Sequence, residues 1–310
     1  MEHNKYDVIV VGSGPAGLTV AMYLIRNNLK IALFSGNTIG GQLTTTTDIE
    51  NYPGFIEPLP GFELMNNMLL QAQRLGVEIV YDEITNLDFD KPFKCHSNSG
   101  VYVADRIVIA TGASPRWLVN VPNEEKWRGK GISVCATCDG NFYKGKDVVV
   151  VGGGESAAIE TLHLAGICNK VYLVNRSSKL RMSQKQIEKI KGTPNIELLL
   201  DRVIVEIVSK DNRIIDAVKI ENPTNNEVMT INVNGIFCAI GNDPSTAIFK
   251  NSGLKLDNKG YIITEHDGAR TNIESVYAVG DVTNKPFKQA VIAAGYGAIC
   301  AMEIMEDIKV

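Results

Sequence analysis

The chain has 310 residues, of which 45% are hydrophobic and 21% charged, so it is long enough for two globular domains of ordinary composition. A formal net charge of −4 argues against nucleic acid as the main partner, and no apolar run approaches the roughly 18 residues of a membrane span. The cysteines include one close pair only, unlike a secreted disulfide scaffold, and we expect no signal peptide and a cytoplasmic location.

The first predicted element is a buried strand from Asp7 to Val11, which runs into the turn Gly12-x-Gly14-x-x-Gly17 and then a helix. This order favours a dinucleotide-binding fingerprint over a plain turn between strand and helix. Gly12 allows the tight turn, Gly14 lets the backbone approach a pyrophosphate, and Gly17 lets the helix pack on the strand. The positive end of the helix would then face the phosphates.

The same pattern recurs later in the chain, with Gly152, Gly154 and Ala157 in the three small positions. A second, weaker repeat is an apolar strand that ends in a small residue and a glycine, at 107–114 and again at 235–244. The repeats predict an α/β protein with two Rossmann-like, three-layer domains of the type that binds two dinucleotides. Two dinucleotides in one protein indicate electron transfer between them.

The last part of the chain is too short for a third domain. It contains a strand that runs into Gly280-Asp281 and a long helix that begins near Lys288. Both pieces need a partner, so we expect them to fold back onto the N-terminal domain through proline-containing connections at 114–118 and 243–247. The predicted domains are a discontinuous one, 1–115 with 246–310, and an inserted one, 116–245.

The inserted domain carries the close cysteine pair, Cys135 and Cys138, in the stretch SVCATCDG. Zinc is disfavoured because it needs four ligands, and the chain has no second CxxC and no histidine pair. A structural disulfide is a weaker alternative, because so short a loop gains little entropy. We favour a redox dithiol, in which one thiol attacks an external disulfide and the other resolves the mixed disulfide. Asp139 is either a proton donor and acceptor or only a helix cap or turn acid.

Motifs along essentially the whole chain resemble those of the low-molecular-weight, bacterial-type thioredoxin reductases. They are GSGPAG (12–17), GGQLTTTTDIENYPG (40–54), ATGAS (110–114), CATCDG (135–140), GGGESA (152–157), AIG (239–241), VGDV (279–282) and KQAVIAAGYG (288–297). A dithiol inside the second nucleotide domain is typical of this family. The resemblance implies FAD in the discontinuous domain, NADPH in the inserted one, thioredoxin or a similar protein as disulfide substrate, and a homodimer.

The resemblance also implies roles for individual residues. Cys138 would receive electrons from the flavin, Cys135 would attack the thioredoxin disulfide, and Asp139 would act as acid and base. The inserted domain would rotate on its two connections so that the dithiol and the nicotinamide reach the flavin in turn. The residues implied in FAD binding are Gly12, Ser13, Gly14, Pro15, Ala16, Gly17, Ser35, Gly40, Gly41, Gln42, Leu43, Asn51, Ile84, Ala110, Thr111, Gly112, Gly280, Asp281, Lys288, Gln289 and Ala290. Those implied in NADPH binding are Gly152, Gly154, Glu155, Ser156, Ala157, Asn175, Arg176 and Arg181.

The stretch VNRSSKLRMS departs from the family pattern, which holds the 2′-phosphate of NADPH with a His-Arg-Arg triplet and a further arginine. Asn175 stands in place of the histidine and Ser177 in place of the second arginine, whereas Arg176 and Arg181 remain. Two guanidinium groups still suit a phosphate dianion, so we expect NADPH use with weakened discrimination against NADH. The alternative is that Lys179 compensates.

A basic rim near the dithiol suggests a docking surface for an acidic partner such as thioredoxin, although charged loops are more often only solvated. Its members are Arg128, Lys130, Lys144 and Lys146, with Phe142 and Tyr143 between them. Three rival functions stay open: a ferredoxin-dependent flavin thioredoxin reductase of the same fold, a ferredoxin–NADP reductase relative, which would lack CxxC, and a non-enzymatic flavoprotein sensor.

Overall fold

The computed structural model describes residues 5–46 and 48–309. The chain forms two compact units: the first contains the chain up to Ser114 and from Asp243 onward, and the second runs from Pro115 to Asn242. The α-helices in the described residues are α1 (Pro15–Ile25), α2 (Gly61–Arg74), α3 (Ala136–Asp139), α4 (Glu155–Ala165), α5 (Gln184–Lys191) and α6 (Ala290–Lys309).

The strands follow in chain order on both sides of the unit boundaries. Those that begin before residue 115 are β1 (Lys5–Val11), β2 (Ile31–Phe34), β3 (Glu78–Val80), β4 (Ile84–Asp88), β5 (Phe93–Ser97), β6 (Gly100–Ile109) and β7 (Ala113–Pro115). The later ones are β8 (Ile132–Ser133), β9 (Asp147–Val151), β10 (Lys170–Asn175), β11 (Ile196–Leu200), β12 (Val203–Val208), β13 (Ala217–Asn222), β14 (Glu227–Asn232), β15 (Gly235–Cys238), β16 (Asn242–Pro244) and β17 (Val276–Ala278).

The first unit is built on a sheet in the order β3-β2-β1-β6-β5-β4, with β17 beside β6. β1 runs parallel to β2 and β6, whereas β4, β5 and β6 form an antiparallel meander. Successive residues of β1 point to opposite faces, so Val8 and Val10 pack with helices α1, α2 and α6, and Ile9 and Val11 pack in a second core. Because both faces are covered, β1 is a continuous apolar strand.

The C-terminal segment completes this first unit. β17 pairs in parallel with β6, with Val276 opposite Ile107. α6 packs against α1 so closely that a Cβ on Gly297 would lie 2.5 Å from the main-chain oxygen of Ala16. Glycine at 297 therefore permits the close approach of the two helices.

The second unit repeats this plan in a parallel sheet of order β11-β10-β9-β15-β8. Its strands β12, β13 and β14 form a separate antiparallel sheet. Buried apolar residues pack on both faces of the parallel sheet, as in the first unit. The prediction of two Rossmann-like α/β folds is confirmed by this arrangement.

The two connections between the units, β7 and β16, pair as a short two-stranded sheet. Each contains a proline, Pro115 and Pro244. Over the described part of the chain, no helix is both long enough and apolar enough to cross a membrane.

Candidate active site

The cysteine pair forms a disulfide in the second unit. Cys135 and Cys138 have Cα atoms 5.3 Å apart and are half-buried. Cys135 is the N-cap of α3, and its main-chain oxygen accepts hydrogen bonds from the N–H groups of Cys138 (3.2 Å) and Asp139 (3.1 Å). The one-turn helix thus holds both sulfurs within bonding distance without a change of backbone.

Asp139 ends α3 and does not cap a helix with its side chain, so the cap interpretation is not supported. Burial raises the pKa of its carboxyl group, while a hydrogen bond with Ser133 acts in the opposite direction. A carboxyl group beside a dithiol that holds its proton to higher pH than usual suits a proton donor.

Ser133 is a site residue that sequence reasoning missed, although it lies in the quoted stretch. Its hydroxyl oxygen accepts a hydrogen bond of 3.0 Å from the main-chain N–H of Cys135 and also contacts the Asp139 carboxyl. Ser133 is buried at the end of β8, so it ties the acid and the first cysteine to the rigid sheet.

Glu160 is a second group that was missed. It lies on α4, whose buried residues include Ala157, Thr161 and Leu164, and α4 packs against α3. Burial raises the pKa of Glu160 to about 7, although a hydrogen bond from the main-chain N–H of Ala136 acts to lower it. The sequence carried a signal, because position 160 follows Ala157 by three residues and precedes Leu164 by four, on one helix face.

In the first unit the glycine turn has the backbone that the fingerprint requires. Gly12 has φ of +115°, and a Cβ there would lie 2.3 Å from the main-chain oxygen of Ala110. A Cβ on Gly17 would lie 2.0 Å from the oxygen of Gly12. By contrast, the space beside Gly14 is open, and α1 begins there without a side-chain cap. An uncapped helix N-terminus facing open space fits a pyrophosphate, and this part of FAD needs such a cradle.

Ser13 joins three loops beside this turn. Its hydroxyl donates to the main-chain oxygen of Ser35 (2.8 Å) and accepts from the N–H of Gly40 (2.9 Å). Because the Ser13 side chain is buried and both bonds are internal, it positions the loops around the cradle and does not reach into it.

The structure brings most of the predicted FAD residues together in the first unit. A Cβ on Gly41 would lie 3.5 Å from the Cα of Gly14, and Asn51 donates to the side chain of Gln289 over 3.2 Å. Ile84 differs, because its side chain packs in the core. The other predicted members of the set are half-buried or exposed at Pro15, Gln42, Leu43, Thr111, Gly112, Gly280, Asp281, Lys288 and Ala290, and buried at Ala16.

Asp281 and Lys288 form an ionisable pair beside α1. Burial raises the pKa of the Asp281 carboxyl and lowers the pKa of the Lys288 ammonium, and their mutual attraction opposes both shifts. Gly280, which precedes Asp281, has φ of +74°, and a Cβ added to this glycine would lie 3.0 Å from the Cβ of Ala16. A carboxylate held there fits the hydroxyl-rich part of FAD, for which it is a strong acceptor.

The second glycine turn has the same form. Gly152 has φ of +153° and leaves no room for a Cβ, which would lie 2.4 Å from the main-chain oxygen of Ala239. The space beside Gly154 is open, and α4 begins there without a side-chain cap. Glu155 accepts a hydrogen bond of 2.7 Å from the N–H of Ser183, which fixes the neighbouring turn. This cradle fits a second dinucleotide.

Asn175 is turned inward. Its side-chain amide is buried and donates to the main-chain oxygens of Ser177 (2.7 Å) and Lys179 (3.3 Å). The amide is therefore used to hold the loop and is not available to a phosphate. The side chains of Arg176 and Arg181 lie exposed on either side of this loop. The main-chain N–H of Arg181 donates to the main-chain oxygen of Gly153.

The basic rim is only partly available. Arg128 makes an ion pair of 2.8 Å with Glu124 and lies over the ring of Trp117. Tyr143 packs edge-to-face on Phe237 in the core, so it is not a surface aromatic.

The exposed members of the rim are Phe142, Lys130, Lys144 and Lys146, together with Arg128, whose guanidinium is already paired. Lys146 donates to the main-chain oxygen of Phe142. Any docking surface is thus smaller than the sequence suggests.

Among residues 5–46 and 48–309, no group of three His, Cys, Asp or Glu side chains could hold a metal ion. The remaining cysteines are buried, which confirms their prediction as core residues; they are Cys95, Cys168, Cys238 and Cys300.

Two nucleotide cradles and a dithiol beside a half-buried acid define a disulfide oxidoreductase that uses bound dinucleotides. The family described as pyridine nucleotide-disulphide oxidoreductase matches residues 6–297, and the chain belongs to this family. The chain is an enzyme, so the non-enzymatic sensor is excluded.

Relatives and solved structures with one name match nearly the whole chain. A thioredoxin reductase of Rickettsia prowazekii is 44% identical over 97% of this chain and 98% of its own. The solved thioredoxin reductases of Giardia duodenalis and Streptococcus pyogenes are 36% and 34% identical, with TM-scores of 0.94 and 0.92. Each covers 99% of this chain, and the chain covers 100% and 99% of them. The resemblance to low-molecular-weight thioredoxin reductases is confirmed.

Proposed function

We propose that the protein is a thioredoxin-disulfide reductase, which passes electrons from NADPH through FAD and the Cys135–Cys138 pair to the disulfide of thioredoxin or a similar protein. The observation that carries this proposal is the Cys135–Cys138 disulfide next to the half-buried acid Asp139 in the second nucleotide fold. Full-length relatives that bear this name support it.

FAD, when bound, supplies the step between two-electron hydride transfer and thiol chemistry. The open space at Gly14 and the uncapped start of α1 would hold its pyrophosphate, and Asp281 would accept hydrogen bonds from its hydroxyl groups. Gly41 and the Asn51–Gln289 hydrogen bond border the same space. In the second unit, the turn at Gly154 would hold the NADPH pyrophosphate.

Arg176 and Arg181 would hold the 2′-phosphate, with Lys179 exposed on the same loop. Asn175 supports that loop from inside. We expect NADPH to be preferred over NADH, with less discrimination than a complete triplet gives, because one guanidinium contact is worth about 1.5–3 kcal/mol.

The dithiol residues divide the work of disulfide exchange. We assign Cys135 the attack on the partner disulfide and Cys138 the resolution of the mixed disulfide, which closes the Cys135–Cys138 bond again. Burial raises the pKa of the Asp139 carboxyl, which favours its protonated form, and this proton can be transferred to the thiolate that leaves. Rotation of the second unit on 113–115 and 242–244 would let the dithiol meet both the flavin and a protein.

Anaerobic titration of the purified protein tests the proposal. We expect NADPH to bleach the yellow flavin absorbance, and the reduced enzyme then to reduce added thioredoxin. Bleaching by reduced ferredoxin but not by NADPH would instead support the ferredoxin-dependent reductase. The incomplete phosphate motif slightly favours this rival, whereas the intact glycine turn Gly152-x-Gly154-x-x-Ala157 opposes it.

Location, assembly and docking are further parts of the proposal. We expect a cytoplasmic protein, and sedimentation at micromolar concentration should give the mass of a homodimer. Charge reversal at Lys130 should raise the KM for thioredoxin, because this exposed cation lies on the rim near the dithiol. An unchanged KM would remove the rim from the docking surface.

A further inference from the structure

The buried carboxyl of Glu160 has no role in the reaction described so far. α1 and α4 occupy the same positions in the two repeats, so Glu160 corresponds to Val20, which is fully buried and apolar. At the position where α1 of the first unit has a valine, α4 of the second unit therefore has an acid. Burial of an acid is costly, and a valine would fill the core at lower cost.

The contacts of Glu160 connect it to the dithiol. Its carboxyl accepts a hydrogen bond from the main-chain N–H of Ala136, the residue that follows Cys135 and begins α3. Its other oxygen, Oε2, is buried and has no hydrogen-bond partner among the described residues. A buried carboxylate oxygen without a partner is stabilised when it carries a proton.

The charges around Glu160 do not neutralise it. α4 packs against α3, α5, β9 and β10. The titratable and charged groups on α4 and on these elements are Asp139 of α3, Asp147 of β9, Glu155 and His163 of α4, Lys170 and Tyr172 of β10, and Lys185, Glu188, Lys189 and Lys191 of α5. Cys238 of β15 couples to Glu160, and the Glu124–Arg128 ion pair couples to Cys238. The guanidinium of Arg128 already pairs with Glu124 in three hydrogen bonds. Negative charge that appears on the sulfurs would therefore act on Glu160 without compensation from this cation.

We propose that Glu160 is a proton-holding positioning residue of the dithiol, which takes up a proton when the Cys135–Cys138 disulfide is reduced and releases it when the disulfide forms again. This proposal rests on the proposed function, which supplies the electrons from NADPH through FAD. Two electrons and two protons break the S–S bond and give one thiol, one thiolate and a neutral Glu160 carboxyl. The net charge of the site is the same before and after the step.

The benefit lies in the thiolate. The Glu160 carboxyl bonds the N–H of Ala136, which follows Cys135. A charged carboxyl there would oppose formation of a neighbouring thiolate, whereas a neutral one does not. By linkage, the thiolate in turn favours the proton on Glu160. The reduced enzyme would thus keep a nucleophilic sulfur near neutral pH.

The test compares Glu160→Gln with the wild type. Glutamine still accepts the hydrogen bond from Ala136 but cannot hold the proton, so it separates charge from geometry. The control is Glu188→Gln, an exposed glutamate on α5 in the same unit. The holoenzyme is equilibrated with mixtures of reduced and oxidised dithiothreitol from pH 6 to 9, and the thiols are counted by alkylation.

We expect Glu160→Gln to take up one proton fewer than the wild type for each disulfide reduced just above neutral pH. In that pH range, the equilibrium constant for disulfide reduction should change tenfold more per pH unit in the wild type than in Glu160→Gln. This corresponds to about 30 mV of reduction potential per pH unit. The control should match the wild type. Equal pH dependence in wild type and Glu160→Gln would overturn the proposal and leave Glu160 as a hydrogen-bond acceptor only.

A second measurement does not depend on that variant. In Asp139→Asn, the infrared difference spectrum between reduced and oxidised protein at pH 7.5 should gain a protonated carboxyl band. Absence of the band would contradict the proposal. Neither measurement uses thioredoxin or NADPH, so failure to reduce thioredoxin would refute the proposed function without affecting the proton count.

Discussion

The two glycine turns of this protein share a backbone but differ in their side chains. Strand register is the same in both repeats: Val8 pairs with Ile31, and Val148 pairs with Val171. Next to the first turn, buried Ser13 bonds the main chain of Ser35.

Next to the second turn, Gly153 has no side chain, and Asn175 occupies the space instead, since its Oδ1 would lie 2.3 Å from a Cβ on Gly153. Both repeats fill the space beside the glycine turn with a polar side chain, but that side chain comes from a different position in each repeat.

The helices that follow the turns differ as well. At one matching position α1 has buried Val20, and α4 has Glu160. The first unit is thus a binding unit with an apolar helix face, whereas the second combines the same cradle with ionisable groups around a dithiol. The predictions below test this division.

The largest effect is expected from Cys138→Ser. Thioredoxin reduction should fall by at least about a thousandfold, because the serine cannot form the disulfide that stores the electrons. Flavin absorbance should stay, because the FAD cradle belongs to the first unit. Steady-state assays and visible spectra check both points.

Cys168→Ala is the matched control, since this thiol is buried in the second unit and burial raises its pKa to about 11. If Cys138→Ser still reduced thioredoxin at the wild-type rate, the reaction would not proceed through the Cys135–Cys138 pair.

The next effect concerns the stability cost of Glu160. Its pKa of about 7 in the folded protein exceeds the value of 4.5 for an exposed glutamate. The folded state therefore binds the proton more tightly, and wild-type stability should fall as the pH rises from 4.5 to 7 and level off above. Relative to the wild type, Glu160→Gln should gain about 3 kcal/mol between pH 4.5 and pH 8.

Urea unfolding of both proteins at several pH values measures this gain. Val20→Ala in α1 should show a loss that does not vary with pH, because no proton is involved. A constant difference between Glu160→Gln and wild type would show that the carboxyl is not penalised by burial.

A smaller effect is expected where the two turns exchange their filling residues. Gly153→Ser should cost roughly 1–3 kcal/mol through the clash with Asn175, and Asn175→Ser should cost a similar amount through the lost hydrogen bonds. The double variant recreates the Ser13–Ser35 arrangement and should cost less than the sum. Unfolding free energies give the coupling, and strict additivity would disprove the exchange.

The smallest effect concerns coenzyme choice in the second unit. Ser177→Arg adds a cation to the loop between Arg176 and Arg181 and should raise the preference for NADPH over NADH about tenfold. The ratio of kcat/KM values measures it, with Ser178→Arg as the neighbouring control. If the wild type already prefers NADPH many thousandfold, Lys179 supplies the missing contact.

The sequence by itself determined the repeated fold and the redox pair. Both depend on local spacing: glycines at three positions of a turn, and two cysteines one helical turn apart. Such features are encoded within a few neighbouring residues, so the pattern predicts the geometry.

Only the tertiary structure decided which side chains join the site. The sequence predicts Asn175 as a phosphate contact, but its side chain is buried against Gly153, which leaves room for it because glycine has no side chain. Ser133 of β8 and Glu160 of α4 bond the main chain of Cys135 and Ala136, and the Tyr143 ring packs on Phe237 of β15. These placements depend on packing between elements distant in the chain, which no local pattern specifies.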